Sequence, residues 1–167
     1  MRVIFFLIGI LLLSSCDDGD FETPSFEFEP EIYGCGTYLF YRTTDALNEA
    51  YIVTLNLRDL PIQEEIQLDL PLTSDRTVTY RLFNGELGSD YFCNDIPSVQ
   101  PETKEEWLAT GGSMDIYTTQ VLDPDDDSLI GFDHKIIIND LVLSYEGREI
   151  RQSTYTFGTV STVIDTN

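Results

Sequence analysis

Basic side chains are scarce in this chain: nine Lys and Arg, scattered singly, stand against 30 Asp and Glu in 167 residues, a formal net charge of -21. A nucleic-acid binder needs clustered Lys and Arg to displace condensed counterions, so that class is excluded, and charge-driven adhesion to anionic lipid with it. Histidine is scarcer still, and with His134 alone no multi-His zinc site can be built within one chain. There is no G-x-S-x-G elbow to present a strained Ser, and Gly111-Gly112-Ser113 has neither the spacing nor the Lys of a phosphate-binding loop. Paired carboxylates argue for nothing here, because among 30 acids some two will lie within about 5–10 Å by chance. The expectation is a protein without enzymatic activity, in which His134, beside Lys135, sits at an exposed strand end. What the chain does have is 42% hydrophobic and 12% aromatic residues, enough for a real core despite the acidity. At roughly 100–200 residues per domain, the length suits one domain and a tether.

The first residues carry an address. Arg2 is followed by an apolar run over residues 3–13 (VIFFLIGILLL), which ends in Leu13-Ser14-Ser15-Cys16. The run falls short of the about 20 residues that span a bilayer, and it has the length of a signal-peptide core. Leu at minus three, small residues at minus two and minus one, and then Cys16 resemble the lipobox of bacterial lipoproteins. That resemblance implies cleavage before Cys16, a diacylglyceryl group on its thiol, an acylated amine, and attachment to a membrane through several acyl chains. An ordinary cleaved signal with a coincidental Cys is the alternative. Asp17, Asp18, Asp20 and Glu22 follow at once, in a segment with Pro24 and Pro30 and no period that could bury a face. The acidic cluster resembles the lipoprotein export signal of Bacteroidota, which implies an outer-membrane lipoprotein displayed on the cell surface. A plain solvated linker, with the domain on the periplasmic face, is the other reading. The layout is thus a signal peptide at 1–15, a lipidated Cys and acidic tether at 16–31, and a folded domain at 32–167. It looks like that of many surface and outer-membrane lipoproteins of Bacteroidota, a likeness that implies location and no activity.

With Cys16 assigned to lipid, Cys35 and Cys93 are left as an even pair in a compartment that permits disulfides, and a Cys35–Cys93 bridge is expected. The body reads as strands. Residues 37–42, 51–57, 66–70 and 77–83 alternate apolar with polar side chains, with Val53/Leu55/Leu57 and Val78/Tyr80/Leu82 as inward faces. Residues 114–122 and 129–138 are two more strands across an Asp-rich loop, and 141–145 meets 148–157 across Glu146-Gly147, a two-residue hairpin signal. The inward phase shifts between Ile138 and Leu141, which favours a bulge at Asn139-Asp140 in one long strand. One helix is expected: Thr103 and Glu106 have capping-box spacing, 104–109 supply about a turn and a half, and Gly111-Gly112 stop it. Trp107 on that helix would cover an open end of the core, or stack on a ligand. Seven to nine short strands with one short helix argue for an all-β antiparallel sandwich, with a lipocalin-like barrel as the runner-up.

Asp123, Asp125 and Asp127 recur at every second position and could turn oxygens toward one Ca²⁺. An EF-hand is excluded, since Ser128 stands where its Gly belongs and His134 where its bidentate Glu belongs. A solvated hairpin tip is the alternative, and no other cofactor is implied. Two function classes remain. One is a docking domain for an envelope protein partner, which needs an apolar patch or an open sheet edge; the other binds a small ligand or glycan and needs coplanar exposed aromatics. Phe21, Phe26 and Phe28 in the tether either pack back on the domain or add a strand to its edge. Removing the signal takes Arg2 and no acid, so the mature chain carries 8 bases and 30 acids, or -22. Proteinase treatment of intact cells is expected to strip the domain; its survival until the outer membrane is broken would place it on the periplasmic face instead.

Overall fold

The computed structural model describes residues 26–164 apart from 37 and 97. The signal segment, Cys16, the acidic cluster and Phe21 lie outside the described residues. Eight strands follow in chain order: β1 (Tyr33–Cys35), β2 (Leu39–Thr43), β3 (Glu49–Thr54), β4 (Ile66–Pro71), β5 (Thr77–Phe83), β6 (Thr103–Leu122), β7 (Leu129–Tyr145) and β8 (Arg148–Val163). All pair antiparallel in one sheet of order β1-β2-β3-β5-β6-β7-β8, with β4 joined to the second half of β6 while β5 holds its first half. The sheet curls strongly into a half-barrel. The expected all-β antiparallel class therefore holds, and β5 has the bounds the alternation gave.

The expected helix is not there. Among the described residues there is no α-helix, and Thr103–Leu122 is one strand of 20 residues. The reason is tertiary. β5 and β7 lie on either side of this stretch and take its backbone groups, and Glu106 reaches sideways to Arg81 at 2.5 Å instead of back to a helix start. Trp107 consequently points into the core, fully buried opposite Tyr80, with its Nε1–H donated to Glu105 Oε2 at 2.9 Å. Gly111 and Gly112 bend the strand without ending it. Gly112 has φ 123°, and a Cβ there would lie 2.9 Å from the carbonyl oxygen of Asn139. Facing it, Asp140 has φ 49°, and the β6/β7 register slips on both sides of Gly111. The bulge at Asn139-Asp140 is thus real, and β7 runs unbroken through it. The hairpin at Glu146-Gly147 also forms, with φ 48° and 78°, the left-handed pair that a tight two-residue turn needs.

Alternation sends two sets of side chains to two faces, and near β3 both are covered. Tyr51 and Val53 join Val78, Tyr80, Trp107 and Ile136 in the main core. Ala50 and Ile52, on the other face, meet Tyr41, Phe83 and Leu87, with Phe92 packed against them. The lid over that second face is the connection between β5 and β6, and it is tied to β1 by the Cys35–Cys93 disulfide, with Cα atoms 5.1 Å apart. With its ends 58 positions apart in sequence, that link stabilises by roughly 4 kcal/mol in the chain-entropy picture.

The packed part of the chain reaches back to Phe26, upstream of the 31/32 border drawn from sequence. Phe28 is a core residue, 5.4 Å from the Tyr51 ring, and Phe26 lies 5.9 Å from Tyr80. Arg42, on β2, holds this segment to the far end of the sheet. Its guanidinium donates to Glu29 O at 2.6 Å, to Phe28 O at 2.9 Å, and across to Phe157 O at 2.9 Å and Thr156 O at 3.5 Å on β8. Hydrogen bonds to a charged donor contribute about 1.5–3 kcal/mol each and are not additive. Arg42→Ala is expected to lower the free energy of unfolding by about 3 kcal/mol in urea titration. Arg42→Lys should recover less than half, because an ammonium cannot span carbonyls that lie on two sides of a planar fork.

Candidate functional site

The loop aspartates, His134 and Trp107, which sequence singled out for chemistry, are held in structural contacts. Asp123 Oδ1 accepts the Asp125 N–H at 2.8 Å, and the Asp123 carbonyl accepts the Asp127 N–H at 3.0 Å, so this loop folds on its own backbone. Asp127 turns the chain with φ 58°, and Asp126 accepts from Ser128, which holds its carboxyl below the usual range. Asp123, Asp125 and Asp127 are not gathered around a common point. Among the described residues no group of three or more His, Cys, Asp or Glu side chains is placed to hold a metal ion.

His134 is not at an exposed strand end; it is fully buried in the middle of β7. Thr118 stands directly opposite on β6, and its Oγ1 lies 2.9 Å from Nδ1, while Thr162 Oγ1 of β8 lies 2.9 Å from Nε2. Thr162 Oγ1 also donates to Phe132 O at 3.5 Å, which leaves it to accept from Nε2–H, so each ring nitrogen has a hydroxyl partner. Trp107, expected at an open end, is sealed as well: the Arg148 guanidinium lies 5.1 Å over its ring and pairs with Glu105 at 3.2 Å.

The open surface lies elsewhere. A cleft of about 580 Å³ is lined by Tyr38, Leu60, Pro61, Ile62, Thr162 and Val163, with Arg58, Gln63 and Glu64 also on its wall. One side is the turn Leu57–Asp59 and the loop after it. Asp59, 2% exposed, fixes that side, because it takes both Nε and Nη2 of Arg76, at 2.8 and 2.5 Å, and also the Asn56 N–H at 2.8 Å. The other side is the end of β8. Thr162 and Val163 also line a second, 160 Å³ depression with Val121, Ile130, Asp133 and Ser161. Side chains that a core would normally hide stand in the open here: Ile62 is 52% and Val163 83% exposed. β8 is also the last strand of the sheet, paired with β7 and, among the described residues, with no strand on its other side.

Large exposed apolar side chains elsewhere are again aliphatic, among them Ile96 and Val99 on the lid. Among the described residues Tyr33 is the one aromatic in that class. Its ring stacks on the buried Tyr41 at 5.3 Å and its hydroxyl donates to Glu31 at 3.0 Å, so this ring is held by its neighbours. Sequence reasoning passed over the cleft. Its signal was present in Leu60-Pro61-Ile62, an apolar triplet outside any alternating run, and in the uncharged stretch that carries β8 past residue 157. No protein-family model, no curated protein and no solved structure matches this chain.

Burial pushes the His134 imidazole below its ordinary value of 6.5, partly offset by Asp133. The unfolded chain therefore binds this proton more readily than the folded one, and stability is full above about pH 6.5 and falls as the pH drops through it. The urea midpoint is expected to decline between pH 7 and 5.5, with a clearly smaller decline in His134→Asn. Equal slopes in the two proteins would show that this site does not govern the response.

Proposed function

We propose that the chain is an envelope lipoprotein, anchored in the outer membrane through acyl chains on Cys16 and displayed at the cell surface, whose β-domain is a non-catalytic module that docks on a protein partner. The anchoring half is supported by Leu13-Ser14-Ser15-Cys16 and the acidic residues after it. The docking half is carried by one observation: two exposed aliphatic side chains, Ile62 and Val163, stand on the wall of a cleft at the end of an unpaired strand. Protein interfaces use such surfaces, whereas a glycan platform needs flat rings open to solvent. A non-catalytic role accords with His134, whose two ring nitrogens are spent on Thr118 and Thr162.

Capture of the lipidated, full-length protein from cross-linked native envelopes is expected to recover one protein reproducibly and in near-equal amount, and Cys16→Ser should leave the membrane fraction. Recovery of no protein, together with retention on immobilised glycans, would replace docking with carbohydrate binding.

A further inference from the structure

We infer that the free edge of β8 over residues 159–163 accepts an extended, aliphatic segment of the partner, flanked by Lys or Arg, which adds to the sheet as a further strand. The inference rests on the docking proposal above and names what docks and where.

An unpaired strand at a sheet's end is a template for pairing, and proteins normally guard it with charge, Pro, a bulge or a cover. β8 is guarded over part of its length only. Around Thr156 and Phe157 its outward carbonyls are taken by Arg42, the β7/β8 register slips, and Ile32 lies against Gly158. Among the described residues that cover ends beyond Gly158. From Gln152 to Val163 the sequence QSTYTFGTVSTV contains no charged residue and no Pro, and it is rich in the β-branched side chains that suit a paired strand. The unguarded stretch runs directly into the apolar cleft, since Thr162 and Val163 form its wall. A strand laid on this edge would donate and accept along its backbone and turn every second side chain to one face, where the cleft beside Leu60 and Ile62 can receive an aliphatic one.

Charge selects between occupants. Glu64 and Asp133 line the two depressions against a single base, Arg58, and the whole chain carries -21, so a second copy would approach against its own field. A segment with basic flanks would approach along it.

The test uses the mature domain with its disulfide intact and a fluorescein-labelled peptide, Lys-Lys-Val-Thr-Val-Thr-Val-Lys-Lys. Three comparisons accompany it: the same peptide N-methylated at alternate residues, an equally charged Lys-Lys-Gly-Ser-Gly-Ser-Gly-Lys-Lys, and the variant Val163→Glu. Saturable binding is expected, with slowed amide exchange over residues 159–163. N-methylation and the Gly/Ser core should each weaken it at least tenfold. Val163→Glu, at an exposed position that leaves the fold intact by near-ultraviolet circular dichroism, should also weaken it. Tighter binding by Val163→Glu, or equal binding of the Gly/Ser peptide, would reduce the interaction to charge and overturn the inference. So would a dimer in sedimentation without peptide, or displacement of the peptide by palmitate, which would give the surface to a second copy or to an acyl chain. Absence of peptide binding beside a reproducible partner from native envelopes would sink the edge alone; absence of both would sink the docking proposal too.

Discussion

One guanidinium sets the shape of this domain. A curled sheet that stops short of closing leaves two problems: a row of unsatisfied backbone groups on its last strand, and a slot through which water could reach the core. Arg42 answers both, because its planar fork donates to carbonyls of the 26–31 segment on one side and to Thr156 and Phe157 of β8 on the other. Phe28 is drawn under the same contact and becomes part of the core. The Arg42 guanidinium also lies 5.7 Å over the Tyr155 ring, so the side chain is held by an aromatic face as well as by hydrogen bonds. Closure by a side chain, in place of a ladder, is local. It acts where Arg42 reaches and leaves the end of β8 as it is.

The rest of the architecture divides between a braced and an unbraced part. Around β2, β3 and β5 both faces of the sheet are covered, and the cover is fixed covalently by Cys35–Cys93. The long β6–β7–β8 hairpins carry the other part of the core on one face and are kept in register by Gly112 facing Asp140. A slip of one residue there would exchange Ile136 and Ile138 for Ile137 and Lys135 in the core, so the bulge protects the phase on both sides of it.

Local signals were legible where the local and the global answers agree. Residues 77–83, the faces Val53/Leu55 and Val78/Tyr80/Leu82, the turn at Glu146-Gly147 and the Cys35–Cys93 pair all follow from period, turn chemistry and cysteine count. The helix at 103–109 was misread because capping-box spacing and a Gly pair are cues of short range. The partners that make this stretch a strand, Arg81 and Tyr80 on β5 and Ser144 on β7, are distant in sequence. His134 is a case of the same kind. The polar groups that make its burial tolerable come from β6 and β8, and neither is visible from the residues beside it. A lid over Ala50 and Ile52 likewise has no period of its own, so alternation showed one buried face on β3 where there are two. Of the open surface, the uncharged run in β8 was readable as composition, but that it lies on an edge is a fact of topology.

The burial of Phe28 also sets a length. A chain spans at most about 3.5 Å per residue, so a domain whose packing began at Ile32 could ride up to about 55 Å from Cys16, whereas one whose packing begins at Phe26 can ride no further than about 35 Å. If acyl chains hold Cys16, as proposed, the domain is on a short leash, comparable to its own width. It would sweep a shallow layer over the lipid, and its surface would be met only within that layer.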